Sequence, residues 1–380
     1  MLDKKSFSEG QKLMSSTISW LRFPLIFGVV FIHSSRYGRT LEIHWENFNG
    51  MQFYYFLQNL LSELLPVVCV PTFFFISGYL FFFKQEKLDK PTYINKMRRR
   101  VRTLLVPYIL WNLVAIFLLF SYAIRSKGFS FSEITGFNWF DAFVGMTPRH
   151  KADSTSILGF AFRQNKMFPA DGPLWYVRDL ILWNMFVPVF YCLIKKTKYI
   201  FLSFMTTIWL LQLWPYTRLS LFGLYCFILG CYFGINKLTP FISRWGGRIC
   251  LYVVSLLLLI VMSLQVVENK TINYFLLCLF QLFGIFSVFN IGCRAMNTKW
   301  CHYPAFFMEG SFFIFAFHQI RTVSDTERLL DILFCHSQNW IVLTTEYILT
   351  PVIVVAICLL VYKVLRRICP KVLYVLDGRK

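Results

Sequence analysis

Trp20-Leu-Arg-Phe-Pro-Leu-Ile-Phe-Gly-Val-Val-Phe-Ile-His-Ser-Ser35 is the stretch on which the reading of this chain turns. It is apolar apart from Arg22, His33 and the closing serines, and ionisable groups inside such a run are costly in hydrocarbon and mark function by default. Arg22 and His33 are eleven positions apart. At about 100° per residue this is about 20° beyond three turns, so both side chains leave one face of a helix, roughly 16 Å apart along its axis. The bland alternative has Arg22 snorkelling to one surface and His33 hydrogen-bonded to a neighbouring helix. Their shared face, with Pro24 adjusting the helix start, favours the functional reading.

The rest of the chain is of the same character. Of 380 residues, 57% are hydrophobic, 15% are charged and 19% are aromatic, with 43 Phe. A soluble domain has no means of hiding so much apolar surface. About 20 mostly apolar residues span the hydrocarbon layer as a helix, and such runs fall at roughly 17–35, 59–83, 103–124, 173–194, 199–215, 219–235, 249–267, 272–291, 304–321 and 341–362. The predicted fold is all-α: a polytopic membrane bundle of about ten transmembrane helices.

The net charge of +20 invites a nucleic-acid reading, yet the basic residues follow topology instead of gathering on one soluble face. With the N-terminus in the cytoplasm, the cytoplasmic segments carry 25 Lys and Arg and the opposite loops 11. The positive-inside rule then predicts that both termini are cytoplasmic. The expectation is a multi-pass protein of the cell (cytoplasmic, inner) membrane, with the lipid bilayer as partner and no nucleic acid.

The expected division is a cytoplasmic leader at 1–16, a transmembrane domain at 17–365 with one long outer loop at 125–172, and a cytoplasmic tail at 366–380. The first apolar run contains Arg22, lacks a small-residue cleavage site before Arg36 and follows a long polar leader, so it reads as a retained helix and not as a signal peptide. The 11 Cys show no Cys-x-x-Cys spacing, and neither a disulfide framework nor a metal site is expected. The outer loop contains Trp139, Asp141, Arg149, His150, Asp153, Arg163 and Asp171 without recognisable spacing.

Four further places carry candidate chemistry. The segment 84–102 ends in Lys96-Met-Arg-Arg-Arg-Val-Arg102, which suits anionic lipid heads and, through its arginines, bidentate binding of phosphates. Pro71-Thr-Phe-Phe-Phe-Ile-Ser-Gly-Tyr-Leu80 combines a helix-opening proline with Ser77-Gly78, which permits a local break or close helix packing. Asp171-Gly-Pro-Leu-Trp-Tyr-Val-Arg-Asp179 places Trp175 and Tyr176 at the depth of an aromatic belt, with Arg178 and Asp179 able to neutralise one another. Ser311-Phe-Phe-Ile-Phe-Ala-Phe-His318 puts a second histidine in an apolar run, as a satisfied core group or as a base and its orienting partner.

In this order, these motifs resemble the membrane acyltransferase 3 family. The resemblance rests on Arg22 and His33 on the first helix, Pro71 to Leu80 on the second, and Arg98 to Arg102 running into Pro107-Tyr-Ile-Leu-Trp111. Leu174-Trp-Tyr176 and Phe312 to His318 complete it. It covers nearly the whole chain. It implies an integral membrane O-acyltransferase that takes an acyl group, commonly acetyl, from cytoplasmic acyl-CoA and delivers it to a hydroxyl of an extracytoplasmic or lipid-linked carbohydrate.

Acyl transfer from a thioester needs a base for the acceptor's proton and donors for the developing oxyanion. On this reading His33 is the candidate base, and Arg22, too far along the helix to touch it, serves the catalytic path from the CoA side. Arg22, Arg99 and Arg102 are the candidate residues for acyl-CoA, the acetyl-CoA donor, and Tyr79, Trp175, Tyr176 and His318 for the carbohydrate acceptor. A reading from another class is a transporter or flippase of a glycan or lipid-linked saccharide, which also uses buried Arg and His along a path.

Overall fold

The computed structural model describes residues 4–35, 41–85, 87–127, 139–145, 168–213, 219–239, 249–298 and 303–378. Every regular element among them is helical. Lys4–His33 forms α1, Gly50–Gln58 α2, Cys69–Phe82 α3, Lys90–Arg100 α4, Val106–Lys127 α5 and Trp139–Val144 α6. Then come Trp175–Met185 as α7, Val187–Thr197 as α8, Tyr199–Leu210 as α9, Leu221–Ile235 as α10 and Ile249–Ser263 as α11. Lys270–Asn297 is α12, Ala305–Phe317 α13, Val323–Leu333 α14, Trp340–Ile368 α15 and Pro370–Leu376 α16.

Among the described residues, five helical stretches are long and apolar enough to cross a membrane: Gly10–His33, Gly50–Phe82, Lys90–Leu118, Lys270–Asn297 and Trp340–Ile368. Gly172–Met185 and Val187–Thr197, bent by 59°, make a sixth if taken as one span. The apolar runs at 199–215, 219–235 and 249–267 fold as helices of 12, 15 and 15 residues. At 1.5 Å per residue, even 15 residues cover only about 23 Å of a hydrocarbon layer about 30 Å thick. The run at 304–321 is helical in pieces: α13, a π-helical turn at His318–Thr322, then the amphipathic α14.

Three departures from regular α-helix shape the bundle. A π turn at Asn59–Leu64 and a 3-10 turn at Leu65–Val68, with Pro66 in it, join α2 to α3. A π turn at Val101–Leu105 joins α4 to α5. The third is the turn at His318. Such insertions occur mostly as single turns and cluster at functional sites.

The helices differ in how tightly they meet. A Cβ added at Gly78 of α3 would lie 2.1 Å from the Phe227 carbonyl oxygen, and one at Gly230 of α10 would lie 2.1 Å from that of Phe75. The backbones of α3 and α10 therefore touch through reciprocal glycines, the close approach that small residues permit between membrane helices. One continuous apolar core, including Phe74, Phe75, Phe227 and Phe289, surrounds this contact.

Helix extends into both predicted terminal segments. The predicted leader at 1–16 is helical from Lys4 and continuous with the first span. The predicted tail turns back as α16: the Trp111 indole N–H donates to the Leu376 carbonyl at 3.0 Å. Gly378, at φ +61°, lies against the Thr103 backbone, where a Cβ would come within 2.6 Å of the carbonyl oxygen. That left-handed conformation is one glycine adopts freely. In the long loop, the Ala170 N–H donates to Ala142 O and the Tyr108 hydroxyl to Phe143 O. Arg149, His150, Asp153 and Arg163 lie outside the described residues.

Candidate active site

A cavity of about 600 Å³ opens beside α1 and is walled by α1, α3, α7 and α13. Two guanidinium groups line it, Arg22 from α1 and Arg100 from the last residue of α4. Tyr176 lines it from α7, within electrostatic reach of both. Glu309 and Asp377 stand at its rim, and Glu309 Oε2 also accepts from Arg366 Nη1 at 2.8 Å. Farther along α1, Ile26 and Val29 make one wall, and Phe312 and Phe315 of α13 face the same space. The cavity thus carries two guanidinium and two carboxyl groups among its described lining residues and is otherwise mostly apolar. Ser77 adds a buried hydroxyl with no hydrogen-bond partner among the described residues.

Beyond Val29 and Phe315, α1 and α13 bring two histidines together. The His33 and His318 ring centroids are 5.1 Å apart, and Phe315 packs 6.5 Å from His318. His318 is wholly buried. Its Nδ1 lies 3.0 Å from Ile314 O and 2.8 Å from Phe315 O. Carbonyl oxygens only accept, so Nδ1 carries the proton and Nε2 presents a lone pair. Nε2 is buried and has no hydrogen-bond partner among the described residues. The π turn beginning at His318 is what leaves its ring beside α1 while the chain continues into α14. Next to His33, the buried Ser34 hydroxyl donates to Val30 O at 2.9 Å, closing the last turn of the helix.

The remaining predicted residues separate. Of the arginine run, Arg100 reaches the cavity, whereas Arg99 and Arg102 are solvent-exposed and do not line it. Tyr176 lines the cavity; Trp175, one residue earlier, is buried against Phe74 and Phe222. Tyr79 lies on the other side of α3, its hydroxyl 2.5 Å from Thr239 Oγ1, beside a smaller cavity lined by Lys84 and Lys237. Arg178 and Asp179 satisfy one another: Nε and Nη2 donate to Asp179 Oδ1 at 3.0 and 2.8 Å, while Asp179 Oδ2 accepts from the Ser220 N–H and hydroxyl. This pair is structural and ties α7 to the start of α10.

Two groups at the site escaped the sequence reading. Arg100 was one of four arginines in five positions, and only packing selects the one that faces inward. Asp377 sits in a segment that reads as a hydrophilic tail, but the return of α16 buries it at the cavity rim. A clue was the turn-forming Asp377-Gly378 after the short apolar Val372-Leu-Tyr-Val-Leu376.

A family model described as an acyltransferase domain matches residues 16–363, a span that contains Arg22, Arg100 and both histidines. The chain belongs to the acyltransferase 3 family. Within the relatives of this acyltransferase 3 protein, the succinoglycan biosynthesis protein ExoH of Rhizobium meliloti (strain 1021) is 28% identical over 183 residues, 48% of this chain. The match covers 44% of that relative's length, less than half. No solved structure matches.

Proposed function

We propose that this acyltransferase 3 protein transfers an acyl group, acetyl in the simplest case, from cytoplasmic acyl-CoA to a carbohydrate hydroxyl on the other side of, or anchored in, the membrane. The observation that carries the reading is the cavity that holds Arg22 and Arg100 and runs along α1 and α13 as far as Val29 and Phe315, about one helical turn short of the His33/His318 pair. Guanidinium groups bind phosphates bidentately and remain charged. They suit the pyrophosphate of CoA, and the apolar walls suit its pantetheine arm. The similar protein named for succinoglycan biosynthesis supports a glycan as the acceptor.

In the reaction, the acceptor hydroxyl oxygen attacks the thioester carbonyl carbon as its proton passes to His33. The tetrahedral intermediate then collapses, the C–S bond breaks, and the imidazolium returns the proton to the departing CoA sulfur. His318, its tautomer fixed by two backbone carbonyls, holds the second imidazole in place beside the base. Direct transfer needs no acyl-enzyme. The topology that serves this route has about ten passes, both termini in the cytoplasm, and the shorter apolar helices completing the bundle around the longer ones.

The test is to incubate purified protein with acetyl-CoA carrying a labelled acetyl group and with extracted surface polysaccharide, and to locate the label by mass spectrometry. The expected result is label on glycan hydroxyls with release of free CoA thiol. Intact acetyl-CoA together with glycan movement across vesicles would support the transporter reading instead.

A further inference from the structure

α3 turns Val70, Phe73, Ile76, Ser77 and Leu80 toward the arginine cavity, a helical stripe that is apolar except at Ser77. A serine or threonine inside a helix can return its hydroxyl to the carbonyl four residues back. Thr72 does so on the same helix, donating to Val68 O at 2.7 Å, and Ser311, which also lines the cavity, donates to Phe307 O at 3.0 Å. Ser77 does not: it is 6% exposed, and its Oγ has no hydrogen-bond partner among the described residues. A buried donor left without a partner is costly, so this hydroxyl is placed for a group that enters the cavity.

Three other donors converge on the same place. α1 and the stretch leading into α3 run antiparallel, since Ser62 donates to Phe31 O while Gly28 abuts Pro66 and Cys69. From Gly28 to Arg22 is about 9 Å along α1, and from Cys69 to Ser77 about 12 Å along α3, which brings Ser77 to the level of Arg22. Arg100 reaches that level too: it is within electrostatic reach of Cys231, whose backbone nitrogen a Cβ at the adjacent Gly78 would approach to 2.9 Å. Tyr176 is within electrostatic reach of both guanidinium groups, its ring packed 4.6 Å from that of Phe74 and 5.8 Å from that of Phe315. The tight contact of Gly78 with α10 fixes the backbone that carries Ser77. Convergence of donors, and not a balance of charge, marks the place: Glu309 and Asp377 line the same cavity, and Glu309 is engaged by Arg366.

We infer that the hydroxyls of Ser77 and Tyr176, together with Arg22 and Arg100, seat the diphosphate of the acyl-CoA donor. This rests on the acyl-transfer reading above, adds Ser77 to the donor site and moves Tyr176 there from the acceptor. Hydroxyls and guanidinium groups donate to phosphoryl oxygens, and such charge-assisted bonds are the stronger ones. Donors from α1, α3, α4 and α7 thus meet on one ligand group. Phe73 and Val70, one and two turns farther along the stripe, then face the pantetheine arm on its way toward His33.

The experiment measures equilibrium binding of labelled CoA to the full-length protein in detergent, with unlabelled ADP as competitor, and so needs neither acceptor nor turnover. ADP carries the diphosphate and lacks the pantetheine arm. In the parent, ADP is expected to displace CoA. Ser77→Ala and Tyr176→Phe should each weaken the binding of CoA and of ADP by a common factor of at least about tenfold. Misfolding lowers the number of sites titrated and leaves the affinity of the remaining ones unchanged. ADP that fails to displace CoA from the parent, unchanged affinities in either variant, or a weakening confined to CoA overturns the assignment. A parent that shows the expected pattern yet leaves acetyl-CoA intact with every acceptor overturns the transfer reaction and leaves the diphosphate seat standing.

Discussion

Two helix contacts in this bundle are equally conspicuous as motifs and physically unlike. At α3 against α10, Gly78 and Gly230 let two backbones touch, with no room for a methyl group on either side. At α1 against α13, two imidazoles meet at 5.1 Å, about one helical turn beyond the last residues that line the cavity holding Arg22 and Arg100. The first contact is a clamp, and on the proposed reading the second is the end of a passage. The difference shows why a polar or small residue in a membrane helix has to be judged by what stands opposite it: backbone in one case, space and a titratable group in the other.

The comparison breaks most readily at His33. His33→Ala should lower acyl transfer by about 10²–10⁴-fold, the typical contribution of a general base, while the thermal midpoint of the purified protein stays near that of the parent. Steady-state transfer assays and a melting curve on one preparation check both halves.

Next in size is the arginine end of the passage. Arg100→Ala should raise the KM for acetyl-CoA by about 10- to 100-fold, as loss of roughly 1.5–3 kcal/mol from charge-assisted hydrogen bonds implies. Arg99→Ala, on an exposed side chain, should change it by no more than about threefold. Equal effects of the two would show that the run acts as a diffuse basic patch and that the cavity does not select among its members.

The clamp gives the converse pattern. Gly78→Val drives a branched side chain into the Phe227 carbonyl and should destabilise the protein by about 1–3 kcal/mol or more, read as a lowered thermal midpoint. The fraction that remains folded should keep its KM for acetyl-CoA. A raised KM without lost stability would move α3 from the clamp to the passage.

The smallest effect concerns α4, which carries Arg100. Asp89 caps this helix, its carboxylate accepting from the Thr92 N–H at 3.0 Å. The hydrogen bonds from the Thr92 side chain and backbone hold its carboxyl below the usual carboxylate range. A folded-state value below the unfolded one means that the stabilisation is present above the unfolded value and is lost as pH falls through the folded one. Asp89→Ala should therefore show a slightly lower melting midpoint at neutral pH, and the gap to the parent should close on acidification. Melting curves of both proteins across that range measure it.

How much was legible beforehand follows the same physical division. The Arg22 and His33 face could be read from helical period alone, because both residues belong to one uninterrupted helix. The helical class followed from composition. Arg100 could not be chosen from its neighbours, since four arginines at about 100° steps point around the whole helix, and the π turn at Val101–Leu105 then changes the register into α5. Tyr79 and Trp175 carry the right chemistry for a sugar site, but α3 and α7 each present two faces. Tyr79 turns to Thr239 and Trp175 to Phe74, with only Tyr176 reaching the arginine cavity. The meeting of His33 with His318 is a tertiary contact across most of the chain, and no local pattern encodes it. The length of each apolar run overstated the length of its helix at 199–215, where Leu210 ends the helix before the run does.

The central claim is that one passage along α1 joins acyl-CoA on the arginine side to a saccharide on the histidine side. Its most direct test places the protein in sealed vesicles, with labelled acetyl-CoA at the face that carries Arg100 and an oligosaccharide in the opposite compartment. The account predicts acetylated oligosaccharide in the compartment that never contained acetyl-CoA, with CoA thiol released in the other. Unmodified oligosaccharide crossing the membrane while acetyl-CoA stays intact would contradict it.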